Sequence, residues 1–514
     1  MVALPVSRYY RRHVYRTMEL LREFGDPQVL VLAEDHIVLK LETAWPSDVT
    51  VPGGLSLADD DSLLLVSNQK YLVSAVKSSL LREARVSKAL FCGCASFDSS
   101  ERYAAAAREL LRNAQQICIL HNRDKVYTLV RMFPNVRVLA LPHDLCRHEI
   151  EFDEPCRDRS APLVERCQLT QLMGNVGSLC SGRLTLSPET TLALIRTCPG
   201  LRRIDSMWVA KCYMVPYGLA TSSEHRRARS LTHLWLGLLD NMSAGQAKDP
   251  TSPLIGVDVT LAARIFPFVQ NLQVVVDSLD ALAKISAFRN LSSLRVELGA
   301  GIAYDDVDSQ LRIVLARLPA LEKLALECCG GLRLSTISRL CPELKLMSLE
   351  RCVGPAEDDP VDGGAFPNLG HVNMSMSILK VASRAFLSAT RDTLRTARFG
   401  HDGMCLEFLQ HCIHYGRRQP FTLLERLTLN TKLSLRELEV HPEDLHDVMK
   451  ALPALRHLET DSYDLRLFTE NYGVPRGRVS LSWSGCVHCT VHRPDIALSE
   501  KIAAFLKDSM LPRE

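Results

Sequence analysis

The chain has 514 residues, 46% of them hydrophobic and 23% charged, and 61 basic residues against 59 acidic ones leave a net charge of +2. That balance is ordinary for a folded globular protein and gives no electrostatic reason to expect a nucleic acid or an anionic membrane as the main partner. Every window of about eighteen residues contains a charge, and Met1 to His13 lacks the apolar core of a secretory leader, so neither a membrane span nor export is expected. The seventeen cysteines then read as buried thiols of a reducing compartment, the cytoplasm or nucleus, and the Asn-x-Ser sequons at Asn241, Asn290 and Asn373 as unmodified.

Arg8 to Phe24 is a basic, aromatic segment followed by a predicted helix, with Val14, Met18 and Leu21 on one face and Gly25 as its stop. The basic cluster reads as a solvated helix face. Val29–Leu32 and Ile37–Leu41 are strand-like, and a turn-rich passage with Pro46, Pro52, Gly53 and Gly54 ends at the acidic run Asp59–Asp61. Tyr71 to Arg85 reads as helix and Val86–Leu90 as strand. Ser99 to Ala114 is a second predicted helix, with Ser99 or Ser100 as N-cap and Glu101 in its first turn. Strands follow at Ile117–Leu120 and within Phe133–Leu141; residues 142–168 break the pattern, and Asp240 to Pro253 reads as an exposed loop.

From Phe266 onward the chain becomes periodic. Leu311, Val314, Leu315 and Leu318 form one apolar helical stripe, which Pro319 ends. Leu321, Leu324 and Leu326 follow, the last two at the spacing that places side chains on one face of a strand. The same helix–proline–strand unit recurs, and the first strand leucines are Leu291, Leu321, Leu344, Leu369, Leu394, Leu424 and Leu455, at steps of 30, 23, 25, 25, 30 and 31 residues. A unit this short cannot bury its apolar face alone and must stack on its neighbours. A further helix is predicted from Pro442, with Leu445, Val448, Met449 and Leu452 on one face.

The segment Cys341-Pro-Glu-Leu344-Lys-Leu-Met347-Ser-Leu349-Glu-Arg-Cys352 resembles the leucine-rich repeat of the cysteine-containing, ribonuclease-inhibitor-like type found in F-box proteins, with Met347 where the motif has leucine. The resemblance spans residues 79–461 and is strongest from Leu291 to Leu458. It implies an α/β leucine-rich-repeat solenoid, with a curved parallel sheet inside and helices outside. Residues 1–60 would form an N-terminal helical and linker segment, 61–469 the solenoid, and 470–514 a C-terminal cap ending in a helix from Leu498 to Lys507. An F-box would open with Leu-Pro; Leu4-Pro5 is present, but the acidic and aliphatic run that should follow is not.

Candidate chemistry is sparse. Cys486, Cys489 and His492 have metal-ligand spacing, but no second pair completes a four-ligand site, and buried thiols account for them better. Cys146, His148, Cys156 and Cys167 are spaced more loosely still. Gly299-Ala-Gly301 lacks the third glycine of a dinucleotide loop and reads as a tight turn. No catalytic motif stands out, so no cofactor, no metal and no enzyme activity are expected.

The repeat does predict a surface. With Leu324 and Leu326 inward, Lys323, Ala325 and Glu327 point out of the sheet, beside Arg295 and Glu297, Ser348 and Glu350, His371 and Asn373, Arg398, Arg426 and Thr428, and His457 and Glu459. Trp235 joins this row as an exposed anchor. The mixture suits a protein partner on the concave face. The resemblance implies a substrate-recognition subunit of an SCF-type ubiquitin ligase, its N-terminal segment docking the ligase adaptor and cullin; a binding scaffold without a ligase link is the alternative.

Overall fold

The computed structural model describes discontinuous segments between Val29 and Trp483, most continuously over residues 259–460; residues 1–28, 143–167, 176–190, 214–228, 237–258, 431–439, 461–479 and 484–514, with shorter stretches between, lie outside the described set. The described residues fall into two compact units, one up to Leu234 and one from Trp235 to Trp483.

The first unit holds an eight-stranded sheet built from β1 (Val29–Glu34), β2 (Ile37–Leu41), β5 (Ser62–Val66), β6 (Val86–Ala95), β7 (Gln116–Asn122), β8 (Val138–Pro142), β9 (Gln171–Asn175) and β10 (Arg203–Ile204). Its order is β10-β9-β8-β7-β6-β5-β1-β2, parallel throughout except for the β1/β2 pair. The short strands β3 (Thr50–Val51) and β4 (Leu55–Ser56) form a separate antiparallel ladder. Thus β1 and β2, from the segment read as a linker, join the first sheet. Helix α1 (Leu72–Ala75) precedes β6, and α2 (Glu101–Leu110) follows it. Ser100 stands at the N-cap of α2 as expected, although its hydroxyl makes no capping bond; Glu101 instead pairs with Arg108.

A ten-stranded sheet whose order follows the chain starts at the boundary with β11 (His233–Leu236) and continues in the second unit with β12 (Asn271–Val276), β13 (Ser293–Leu298), β14 (Lys323–Glu327), β15 (Leu346–Glu350), β16 (His371–Ser375), β17 (Thr396–Gly400), β18 (Arg426–Leu429), β19 (His457–Thr460) and β20 (Ser480–Trp483). Every described pairing from β12 to β20 is parallel and without a register shift. The connecting helices are α3 (Val259–Ile265), α4 (Leu279–Lys284), α5 (Val307–Leu315), α6 (Leu334–Leu340), α7 (Ser383–Thr390), α8 (Asp402–Tyr415) and α9 (Leu445–Lys450). Parallel neighbours need a crossover, and crossovers of one hand between successive strands place all helices on one face. Consecutive helices touch accordingly: α4 with α5, α5 with α6, α7 with α8, α8 with α9.

The helix-side face is the core. Leu272, Leu294, Leu324, Met347, Val372, Ala397, Leu427 and Leu458 form one buried ladder, and Val274, Val296, Leu326, Leu349, Met374, Phe399 and Leu429 a second. Each fully buried aliphatic side chain here contributes about 1.5–3 kcal/mol. Met347 fills the leucine position of its repeat, as its unbranched side chain permits. In the repeat of Ala397 and Phe399 aromatic rings pack together, with Phe399 and Phe408 centroids 5.2 Å apart and Phe408 and Phe421 5.4 Å apart. Helix α5 ends at Leu315, one turn before Pro319, yet Leu311, Val314, Leu315 and Leu318 are all buried as the stripe predicts.

Successive repeats are tied by recurring side-chain bonds to the backbone. Asn135, Asn290 and Asn368 each donate a side-chain N–H to a carbonyl of the preceding turn, those of Arg112, Pro267 and Pro342, at 2.7, 2.9 and 3.1 Å. Thr170 and Ser292, just ahead of their strands, donate hydroxyls to the carbonyls of Arg137 and Gln270. The asparagine bonds give turn carbonyls a partner, whereas the Arg137 and Gln270 carbonyls already accept two backbone N–H bonds each and the hydroxyls add a further tie.

Candidate protein-binding face

The face opposite the helices is built from the alternate residues of β12–β19, and the register sorts them into three rows. The first, at the strand starts, is Asn271, Ser293, Lys323, Leu346, His371, Thr396, Arg426 and His457. The second is Gln273, Arg295, Ala325, Ser348, Asn373, Arg398, Thr428 and Glu459; the third begins Val275, Glu297, Glu327, Glu350, Ser375 and Gly400. The residues expected to face outward are brought together on one surface, about 4.8 Å apart from strand to strand. The first row holds no carboxylate; the third holds three on adjacent strands. Between them the middle row mixes short side chains at Ala325, Ser348 and Thr428 with the longer Gln273, Arg295, Arg398 and Glu459, and in the third row a Cβ at Gly400 would come within 3.2 Å of the Ser375 Cα.

Two expected surface residues are corrected by the structure. Trp235 is 6% exposed, and Leu234 and Leu236 beside it are buried as well, so β11 is covered on both faces. Alternation reads out only a strand with one open face; a strand covered on both buries both sets of side chains. Glu327 lies in the outward register but is only 8% exposed. It accepts a 2.9 Å hydrogen bond from Arg295 and a second bond from Arg351, so its carboxylate is spent within the chain.

Arg351 was not foreseen. It follows β15 in a left-handed conformation, φ 53°, and Cys328 follows β14 in the same way at φ 58°. Neither is glycine, and left-handed backbone costs an L-residue about 1–2 kcal/mol. Each N–H is held by the next repeat, Cys328 donating to the Glu350 carbonyl and Arg351 to that of Ser375, both at 2.9 Å. The turn brings the Arg351 guanidinium back over Glu327. Nothing in an Arg–Cys pair signals such a turn, because sequence logic expects glycine there.

The neighbouring polar groups are ordered by one another. Asn373 donates to Ser348 Oγ at 3.0 Å, and Ser375 donates to Asn373 Oδ1 at 2.7 Å. Thr428 donates to Glu459 at 3.4 Å. Among the described residues, no donor is hydrogen-bonded to the Glu350 carboxylate; burial first, then the Glu327 charge, raise its pKa against the pull of Arg295, Arg351 and Arg398. His371, exposed at the strand start yet crowded around its ring, has its pKa lowered first by desolvation and then by Arg395, Lys323 and Arg426.

The repeat cysteines have a structural task. Cys329 donates its thiol to the Glu327 carbonyl, and Cys352 to those of Leu326 and Glu350. Ser377 takes the equivalent place in the next repeat, donating to the Leu349 carbonyl and accepting the Cys352 N–H at 3.1 Å. Cys405 does likewise from α8, toward the Phe399 and Asn430 carbonyls. Burial pushes the Cys341 thiol up to about 12 and raises Cys412, while Cys329 is raised chiefly by its contact with Cys352 and then by burial. These thiols stay protonated and are not nucleophiles.

Among the described residues, no group of three or more His, Cys, Asp and Glu side chains could hold a metal ion, and no helix is long and apolar enough to cross a membrane. Cys486, Cys489 and His492, the Cys146–Cys167 group, Gly299–Gly301, the N-terminal helix and the Leu498–Lys507 helix lie outside the described residues.

Neither a scan against protein-family models nor a search of curated proteins finds a match. Among solved structures, the chain is similar to a leucine-rich repeat protein of Leptospira interrogans, at 11% identity and a TM-score of 0.30, over 81% of this chain and 92% of that one. It is also similar to a chain of the yeast Rad7 and Elc1 complex, at 13% identity and a TM-score of 0.37, over 75% of this chain and 88% of that one. The register, the repeat length and the single covered face of β12–β19 give the second unit the fold of an α/β leucine-rich-repeat solenoid.

Proposed function

We propose that the chain is a non-catalytic protein-binding module that holds a protein partner on the open face of β12–β19. The observation that carries this reading is the division of labour along each strand. The repeat leucines and cysteines are consumed in the covered core, while the residues between them line one continuous surface, polar, charged and ordered by mutual hydrogen bonds. Protein interfaces favour such rigid mixed surfaces. In its most specific form the module is the substrate-recognition subunit of an SCF-type ubiquitin ligase, working in the cytoplasm or nucleus, with residues 1–60 docking the adaptor and cullin. The motif from Cys341 to Cys352 supports that form. A scaffold without a ligase link is favoured instead by the residues after Leu4-Pro5, which lack the acidic and aliphatic run of an F-box.

Affinity purification of the full chain with mass spectrometry tests both forms. Recovery of adaptor and cullin, lost when residues 1–60 are deleted, supports the ligase form; their absence from a well-expressed bait removes it. Ser348→Arg, which fills the middle of the face, should abolish capture of the partner; unchanged capture would reject the face itself.

A further inference from the structure

The face is polar along the strand direction, and β15 lies at the centre of that polarity. At its start, Leu346 is flanked in register by Lys323 on β14, a cation, and by His371 on β16, the two about 9–10 Å apart across two strand spacings. Burial favours the neutral form of the His371 ring, which can still donate an N–H. Among the described residues neither is ion-paired to a carboxylate. At its end stands Glu350, half-buried, with no donor among the described residues bonded to its carboxylate, while the neighbouring Glu327 is already occupied by Arg295 and Arg351. Between the two ends Ser348 is short and fixed by Asn373.

We infer, on the reading that this face binds protein, that the partner enters as an extended segment lying over β15, with an acidic side chain bracketed by Lys323 and His371 and a basic side chain four residues away meeting Glu350. The spacing favours an extended chain. Leu346, Ser348 and Glu350 recur about every 6.6 Å along the strand, which is also the interval between side chains on one face of an extended segment. Residues i, i+2 and i+4 of the partner would thus stand over the Lys323–His371 bracket, the short Ser348 and the carboxylate in turn. A helix, which advances about 5.4 Å per turn, falls out of step over the same distance. Glu350 gains most, because a half-buried carboxylate without a bonded donor recovers on pairing what it lost on desolvation. The Ser348–Asn373–Ser375 network holds the floor in place beforehand, so little ordering is required of this side.

The test is to pan a displayed library of random ten-residue peptides against the full chain. The expected outcome is enrichment of peptides with an acidic and a basic residue four apart, in either order, since the segment can run in either direction. For one selected peptide, replacing its basic residue by alanine should weaken binding about tenfold to the wild type and less than twofold to Glu350→Gln. Replacing its acidic residue should behave in the same way against Lys323→Ala/His371→Ala. No enrichment, enrichment without the charge pair, or equal losses on wild type and variants would overturn the inference. Ser348→Arg separates the two levels of failure. Peptides that it blocks but that ignore charge leave the binding face standing and remove only this segment; peptides that bind Ser348→Arg as well as wild type remove both.

Discussion

The two faces of the second sheet are made from alternate residues of the same strands, and they answer to different constraints. On the covered face, leucine, valine, methionine, alanine and phenylalanine replace one another from repeat to repeat, as at Met347, Ala397 and Phe399. On the open face no residue type recurs by necessity, and order comes from lateral bonds such as Asn373 to Ser348. A parallel ladder thus separates what must be apolar from what is free to carry information, and stability and recognition can be altered independently. The separation is incomplete, as at Thr460, which is polar in the covered ladder. Glu327 sits in the open register yet is buried, and His411 on α8 lies in the covered layer yet is polar.

Four substitutions break or sharpen this contrast. Leu326→Ala, in the covered ladder, should cost about 2–5 kcal/mol, read as a lower urea midpoint; a change below about 1 kcal/mol would mean the face is not a packed core. Glu327→Ala should cost about 2 kcal/mol despite its outward register, because it strands the partly buried Arg295 and Arg351 side chains. A neutral effect would return Glu327 to the open set.

His411→Phe should stabilise by about 1 kcal/mol at pH 7. Its ring is 2% exposed, stacks near Tyr415 and Phe421, and has neither nitrogen hydrogen-bonded among the described residues. Burial, with Arg384 and Arg391 adding repulsion, lowers its pKa from 6.5 to about 4. In that window the unfolded chain binds the proton and the folded chain does not, so this histidine's contribution to stability falls as pH drops from 6.5 toward 4. The gap between variant and wild type should therefore widen between urea melts at pH 7 and pH 5, and a constant gap would contradict the assignment. The smallest effect is expected for Lys323→Ala, within about 0.5 kcal/mol of wild type by the same melts. A larger loss would show that the first row also supports the fold.

Much of this was legible in the sequence because the repeat repeats. Leu324 and Leu326 define a parity that the register carries to Arg295, Ser348, His371, Asn373, Arg398, Arg426, His457 and Glu459 without adjustment. Parity describes one strand at a time, and it fails where a second dimension enters. It places Trp235 outward but cannot say that β11 is covered on both sides. It places Glu327 outward but cannot see Arg351 swinging back through a left-handed turn. Cys329, Cys341, Cys352, Cys405 and Cys412 are buried thiols as read from the sequence, while Cys328 is only half-buried; that Ser377 serves in the same place as Cys352 depends on a carbonyl contributed by the neighbouring repeat.

The asparagine, threonine and serine ties at the turns have a consequence for how such a chain can change. Together with the paired backbone N–H bonds at the entry of every strand from β13 to β19, they fix each strand to its predecessor, so the steps of 23 to 31 residues between successive repeats leave no trace in the ladder. Length variation is absorbed on the helix side, and the open face keeps its graduations like a ruler whose backing varies in thickness. Residues can be inserted between a strand and the next helix without moving any mark, whereas removal of one whole repeat shifts every later mark by a single division. A partner that measures distance across this face is insulated from the first kind of change and exposed to the second.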